Sequence, residues 1–461
     1  MHSGCVRLWL LLAPLLALAA QARPRAVVLP SLSAVSLSSS ATSPAHCVDA
    51  GGNPAPCDFR YFGGPVVSNV KVHAVLWGRD VDAETVAKVP AFLSTLTNED
   101  WVDWLAEYDT DVTVQAGGLT GMPGTRQVIG RGTFAGLRQI TPAASGPDLR
   151  DADLAAELRR QIAAGALPAP DADTVYALFF PPGVSIASAS GERTCEQLCG
   201  FHGTGSSDAG RGLYYLVIPD HRAPDTVHGG GCDFGCGTLD PFGNLSVTTS
   251  HELGEAITNP EIGRAPTSDA PRAWYDDVNF EIGDVCSGTS SIAAPDGGAF
   301  AVQQLYSRRS GVCQSTRQFS ADEPEFEIWL PTNRATVTTG GALDVHVATT
   351  AVHGRPRPLT LEVTSLPVGV TARWPRTLTA GDGFNLHLAV APDAGPVNDA
   401  VVRVVATGDT THSASLLLEV VRPPPSGCTT APGPTLPSLA ALSWLLLRQL
   451  NVRRRRRPPG S

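Results

Sequence analysis

The chain has 461 residues, of which 43% are hydrophobic and 17% charged, with 34 basic and 44 acidic side chains and a formal charge of −10. That length suits two or three domains, and the acidic balance argues against a general nucleic-acid binder, which needs a basic face for phosphate. Its 46 glycines and 38 prolines predict many loops and turns and exclude a long helical rod or coiled coil.

At the N-terminus, Arg7, an apolar run over 8–20 and the small-residue pattern Ala20-Gln21-Ala22 have the order of a secretory signal peptide, so residues 1–22 are expected to be removed on export. The apolar run is too short for a retained span, which takes about 20 residues. Residues 23–57, rich in Ser, Ala and Pro, read as a leader that becomes ordered near Cys47.

Residues 58–317 mix apolar β-branched runs with amphipathic stretches. Strands are predicted over 70–77, 174–180 and 213–218, and helices over 84–96, 99–108 and 152–164. Asp148, Asp151 and Asp153 favour the start of the last helix. The alternation predicts an α/β domain, a mixed sheet of zincin-like type. Over 318–421 the texture changes to seven or eight short strand-like runs separated by Gly, Pro, Asp or Asn, which predicts an all-β, Ig-like sandwich. It holds no catalytic cluster, and spacer or adhesion duty is its default role.

Residues 422–461 contain a Pro-rich spacer, Gly427-Cys428, an apolar run over 436–447 and five arginines over 453–457. At about 1.5 Å per residue the run covers roughly 18 Å of a membrane core near 30 Å thick, a marginal anchor. Contact with a membrane is expected through this tail only. The two ends carry seven arginines and no acids, so the part between 23 and 428 keeps 27 basic against 44 acidic groups, or −17.

Cys5 belongs to the signal peptide and Cys428 to the tail, which leaves Cys47, Cys57, Cys195, Cys199, Cys232, Cys236, Cys286 and Cys313. Connectivity is open to 105 pairings, and chain order suggests local pairs: 47 with 57, 195 with 199, 232 with 236, and 286 with 313. The two C-x3-C units also have a spacing that zinc could use. Export favours disulfides.

One segment has the spacing of a metal site: Ser250-His251-Glu252-Leu253-Gly254-Glu255-Ala256-Ile257-Thr258-Asn259-Pro260. A helix puts His251 and Glu255 on one face with Glu252 beside them, and Pro260 stops it. This is the zincin pattern H-E-x-x-H with Glu in place of the second His, and carboxylate oxygen is a legitimate zinc ligand. Downstream, Asp276, Asp277, Glu281 and Asp284 offer a third ligand, with Glu281 and Asp284 preferred because a disulfide at Cys286 can fix their backbone. His202, His221 and His228 are reserves. In this reading zinc is bound by His251, Glu255 and Asp284 or Glu281, Glu252 is the general base, and the reaction is hydrolysis of a peptide or related amide. Two alternatives stay open. The helix can carry solvated glutamates with His251 capping or packing, or Asp276, Asp277, Glu281, Asp284 and Glu255 can hold structural calcium.

No G-x-S-x-G, P-loop or dinucleotide fingerprint is present. Asn244-Leu245-Ser246 matches a glycosylation sequon, and its expected place is a turn before the helix.

The central domain resembles the EXORDIUM, or phosphate-induced protein, family of secreted proteins. The resemblance runs through Tyr61-Phe62-Gly63-Gly64-Pro65-Val66-Val67, Val72-x-Ala74-Val75-Leu76-Trp77-Gly78, Val175-Tyr176-Ala177-Leu178, Cys195-x3-Cys199-Gly200-Phe201-His202-Gly203, Cys232-x3-Cys236, the His251 helix and Glu281-Ile282-Gly283-Asp284-x-Cys286. The chain resembles the bacterial members with H-E-L-x-E-A-x-T-[DN]-P. The resemblance implies an extracellular protein, with growth-related roles in plants and no established enzymatic activity. The tail resembles the sorting signal of myxobacterial surface proteins, which implies retention at the bacterial cell surface through Cys428. The expectation is a secreted, surface-retained zinc hydrolase acting on extracellular peptide, matrix or cell-wall material; a non-catalytic binding or adhesion protein is the rival. Oligomeric state is not legible.

Overall fold

A computed structural model describes residues 42–206, 212–222, 232, 235–264, 269, 271–319 and 323–423. The expected signal peptide, most of the expected leader, His228 and Cys428 lie outside these residues. Residues 421–461 form a unit of their own, and the larger unit ends at Val420. No helix among the described residues is long and apolar enough to cross a membrane.

The first long strand, β1 (Asn69–Trp77), is buried along its whole length. Because side chains alternate across a strand, Val70, Val72, Ala74 and Leu76 enter one core while Val75 and Trp77 enter another on the opposite face. Helix α1 (Ala83–Leu96) follows, begun by Asp82, whose Oδ1 accepts from the N–H groups of Glu84 and Thr85. The expected helix over 99–108 is a short α turn, Asp100–Asp103, continued as 3-10 helix over Trp104–Tyr108. Strand β2 (Gly130–Ile140), helix α2 (Asp151–Ala163) and strands β3 (Thr174–Phe179), β4 (Phe201–Ser206) and β5 (Gly212–Ile218) complete the first half.

Strands β2, β1, β3 and β5 are parallel neighbours in that order, and β4 closes the edge antiparallel to β5. Parallel sheets are covered on both faces. Here α1 and the helix α3 (Pro241–Thr258) cover one face through Val89, Phe92, Leu253, Ala256 and Ile257, and α2 covers the other through Leu154 and Leu158.

Helix α3 starts earlier than the motif suggests. Asp240 accepts from the N–H of Gly243 at 2.7 Å and Pro241 occupies the first turn. The sequon residue Asn244 therefore sits inside the helix, where its side chain bonds both backbone groups of Leu239, and the expected turn is absent. The stretch Ser246-Val247-Thr248-Thr249-Ser250 has poor helix propensity, and Thr249 and Ser250 turn their hydroxyls back onto the carbonyls of Leu245 and Val247. Burial on nearly every side holds the helix instead: the sheet on one flank, the hairpin of β6 (Thr289–Ala293) and β7 (Ala299–Gln303) on the other. Gly254 is needed for that fit, since a Cβ there would lie 2.4 Å from Leu305 Cδ1.

The last part carries nine strands: β8 (Glu325–Trp329), β9 (Arg334–Thr338), β10 (Ala342–His353), β11 (Pro358–Thr364), β12 (Val370–Arg373), β13 (Thr377–Thr379), β14 (Phe384–Val390), β15 (Val397–Thr407) and β16 (Thr411–Val421). One sheet has the order β8-β10-β14-β12. A second contains β13-β11-β15-β16 with β9 on β16, and the two share one apolar core built from Ile328, Val347, Leu386, Leu361, Val404 and Leu416 among others. That is a β-sandwich.

The sandwich is not appended by a free linker. Strand β16 pairs with β2 through Ala414 and Arg131, so one ten-stranded sheet runs from the sandwich into the α/β part. The seam is buried and charged. His412 lies between Asp103 (Nδ1 to Oδ1, 3.2 Å) and Glu325 (Nε2 to Oε1, 2.8 Å), Arg131 pairs with Glu327 at 2.9 Å, and Arg403 pairs with Asp173 at 2.8 Å.

Within the described residues Thr42–Ser43 pairs with Cys313–Gln314. Cys47–Cys57 and Cys286–Cys313 are bonded as expected. The middle four are not. Cys195 joins Cys232 and Cys199 joins Cys236, because the two C-x3-C segments lie against each other and each cysteine meets its counterpart. In the chain-entropy treatment a separation of 37 residues restrains the unfolded chain by about 4 kcal/mol, against roughly 1.9 kcal/mol for the separation of about four in the expected local pairs.

Candidate metal centre

Four elements bring the chemistry together. Helix α3 supplies His251, Glu252 and Glu255. Strand β4, anchored just upstream by Cys199, supplies His202, and the loop after the Trp274–Tyr275 strand, anchored just downstream by Cys286, supplies Glu281 and Asp284. Strand β7 ends in Gln303, which lies under His251.

His251 Nε2 is 3.1 Å from Glu255 Oε1, 3.9 Å from Asp284 Oδ1 and 4.0 Å from Glu252 Oε1. His202 Nε2 is 3.1 Å from Glu281 Oε2 and 3.9 Å from Glu255 Oε2. Two groups of ligand atoms, His251 with Glu252 and Glu255, and His202 with Glu255 and Glu281, each fall within 4.8 Å of one another. All six residues are buried or nearly so, Glu281 being the most open with a side chain 11% exposed.

The tautomer of His251 follows from its neighbours. Gln303 Nε2 donates to the carbonyls of Gly283 (2.9 Å) and Cys286 (2.7 Å), so Gln303 Oε1 faces His251 Nδ1 at 2.9 Å and must accept its proton. The neutral ring then presents a lone pair at Nε2. His251 Nε2, Glu252 Oε2, Glu255 Oε1 and Asp284 Oδ1 are buried and form no hydrogen bond. Lone pairs facing one another in a dry site are unfavourable unless a proton or a cation lies between them. The donor set, imidazole nitrogen and carboxylate oxygen, suits zinc. Ligand atoms on tetrahedral zinc stand about 3.3 Å apart, and the 3.1 Å between His251 Nε2 and Glu255 Oε1 fits that.

Burial raises the carboxyls of Glu255 and Asp284 well above the usual range, helped by the other acids around them, and raises Glu252. Burial pushes His202 down, but Glu281, Glu255 and Glu252 outweigh it and carry His202 up to about 9. Backbone groups hold the acids in place: Glu252 accepts from the N–H of His202 and Glu255 from that of Gly283. Glu281 accepts from Asn259 Nδ2 at 2.8 Å, and the N–H of Glu281 donates to Asp284 Oδ2 at 2.9 Å. Gly283 permits the close approach, since a Cβ would lie 2.7 Å from the His251 ring and 2.8 Å from Glu255 Oε1.

The other sequence candidates lie elsewhere. Asp276 accepts four hydrogen bonds, from the N–H groups of Asp58, Val278 and Asn279 and from the Asn279 amide, which spends it on its own turn. Asp277 pairs with Arg60 at 3.3 Å. Neither Asp276 nor Asp277 belongs to the two groups of converging ligand atoms. His221 is buried and held down at about 4 by desolvation, and it joins neither group of ligand atoms. Sequence reasoning missed Gln303 altogether and left His202 in reserve. The signal for Gln303 was its type: Gln303-Gln304 interrupts an otherwise apolar run, Phe300-Ala301-Val302 before it and Leu305-Tyr306 after it.

A comparison with protein-family models and with curated proteins finds no match. Solved structures similar to parts of the chain include domains 4 and 5 of the S-layer protein SbsC, at 12% identity and a TM-score of 0.16 over 32% of this chain and 70% of that one. Domain 1 of VCBP3 from Branchiostoma floridae matches at 12% identity and a TM-score of 0.15, over 22% of this chain and 97% of that one. The fibronectin(III)-like modules of CbhA from Clostridium thermocellum match at 12% identity and 0.14, over 33% and 71%. Likeness at that level assigns neither an activity nor a family, and the reading of the chain rests on its own residues.

Proposed function

We propose that this chain is an exported zinc-dependent hydrolase of EXORDIUM-like, zincin-like type, acting on a peptide or related amide outside the cell, with the tail around Cys428 retaining it at the cell surface. The observation that carries the reading is the unpartnered Nε2 of His251 among Glu252, Glu255 and Asp284. Four bonded cysteine pairs accord with an oxidising compartment.

His251, Glu255 and Asp284 are the residues to hold zinc, with Glu281 next in line. When bound, the ion supplies Lewis acidity and makes water acidic enough to attack near neutral pH. Glu252 is next to His251 in the helix and keeps Oε2 free of other partners, so it can take a proton at that atom, while the N–H of His202 steadies its carboxylate. Gln303 keeps the His251 proton on Nδ1, away from the ion.

Burial of the ligands favours a second reading, in which the ion is structural and the protein binds or adheres to matrix without catalysis, since structural zinc sites are closed. One comparison separates the two. Stoichiometric zinc in the purified protein, lost in His251→Ala, supports a metal site. Turnover of a peptide library that falls by at least 100-fold in Glu252→Gln at unchanged zinc content supports the hydrolase, and zinc without turnover in either protein assigns the ion to structure. Absence of zinc from the wild-type chain overturns the hydrolase and the structural ion, and leaves a binding or adhesion protein without a metal.

A further inference from the structure

We infer that the centre is built for two divalent cations bridged by Glu255, one held by His251, Glu255 Oε1 and Asp284, the other by His202, Glu255 Oε2 and Glu281. This deepens the metal reading above and rests on it.

The geometry is two-sided. The oxygens of Glu255 are divided between the two imidazoles, Oε1 at 3.1 Å from His251 and Oε2 at 3.9 Å from His202. Each imidazole has its own second carboxylate, Asp284 at 3.9 Å from His251 and Glu281 at 3.1 Å from His202. The two groups of converging ligand atoms, His251 with Glu252 and Glu255 and His202 with Glu255 and Glu281, share Glu255 and no other residue, and Asp284 joins the first through its approach to His251. A carboxylate that turns one oxygen to each of two nitrogen–oxygen sets is the arrangement found between paired metal ions about 3.5–4 Å apart. Carboxylate-rich centres with one histidine per metal recur in di-metal proteins.

Charge points the same way. Glu252, Glu255, Glu281 and Asp284 are buried, and their ion-pair partners among the described residues are His202 and His251. A cation displaces the protons that the raised carboxyls and His202 otherwise hold. With all four acids ionised and both imidazoles neutral, one divalent cation leaves two negative charges uncompensated, which is costly in a buried site, and two cations balance all four.

The test is metal stoichiometry on the full exported chain with its disulfides intact, loaded with zinc, passed through a desalting column and assayed by mass spectrometry. Two zinc ions per chain are expected, and one in His202→Ala. One ion per wild-type chain overturns the pair and leaves the single-zinc reading standing, whereas none overturns both. Two ions retained in His202→Ala also overturn the assignment. Should that variant fail to fold, manganese loading of the wild-type chain decides: a bridged pair gives an exchange-coupled electron paramagnetic resonance spectrum, and two uncoupled six-line signals would falsify the bridge.

Discussion

Gln303 lies 2.9 Å from Nδ1 of His251, and its own amide protons are committed to Gly283 and Cys286. One side chain therefore sets the tautomer of the histidine and ties strand β7 to the loop that carries Glu281 and Asp284. Nε2 of His251 and the acids opposite it are positioned by the same amide.

Replacing Gln303 with Leu removes the acceptor for Nδ1–H and the donors for two carbonyls. Outer-shell partners of this kind are worth about 10–100-fold in metal affinity, and each buried carbonyl left unpaired costs about 1–3 kcal/mol. The expected outcome is weaker zinc binding by at least tenfold in chelator competition, with a lower urea midpoint. Unchanged affinity would remove Gln303 from the centre.

Gly283→Ala tests the closeness of the loop. The added Cβ meets the His251 ring at 2.7 Å and Glu255 Oε1 at 2.8 Å, distances that force one of them to move. Overpacking of this sort costs about 1–3 kcal/mol. The variant is expected to fold with reduced metal content, measured side by side with Gly297→Ala, a glycine with open space around it and φ of 86°, whose metal content stays at the wild-type level.

The seam at His412 predicts a pH dependence. Burial pushes His412 down, but Asp103 and Glu325 carry it up to about 9, against the influence of Arg317. A histidine raised above its unfolded value of 6.5 contributes fully below that value, roughly 3 kcal/mol here, and the contribution is lost as pH rises through about 9. Glu325 works at the other end. Burial raises it, and His412, Arg317 and Thr410 bring it down to about 2, so its contribution is present above about 4.5 and lost as pH falls toward 2. Asp103, also facing His412, is lowered, burial notwithstanding. Asp109, raised to about 8 by burial, loses stability as pH rises and adds to the alkaline decline. Calorimetry is expected to show a melting temperature lower at pH 10 than at pH 6, with the difference reduced in His412→Gln. An identical pH profile in that variant would assign the decline to other groups.

A chain ending at Phe319 removes the sandwich. It bares the β2 edge at Arg131, which pairs with Ala414, and strips Arg131 and Asp103 of Glu327 and His412. Unpaired edges and orphaned buried charge both promote association and unfolding. The expected outcome is an aggregating or markedly less stable product by light scattering and thermal melting. A stable monomer would show the two parts to be energetically independent.

Much of this was legible in the residues. Strands β1, β3 and β5 are apolar runs because a parallel sheet is buried on both faces, and the His251, Glu252 and Glu255 spacing follows from the helical repeat. Strand β2 was not, because Arg131 and Thr133 are polar side chains buried against neighbours that the local pattern does not name. His202 is drawn to Glu281 only by the antiparallel pairing of β4 with β5, across 79 positions of sequence. The cysteine order misled for the same reason, since proximity in the chain said nothing of which turn faced which.

The crossed pair of disulfides has a consequence for durability. Cys195–Cys232 and Cys199–Cys236 fasten the same two segments twice, one step away from the strand that presents His202. Breaking either bond leaves the other to hold the two segments together, so the His202 side of the centre keeps an anchor after one break, whereas the loop with Glu281 and Asp284 depends on the single Cys286–Cys313 bond.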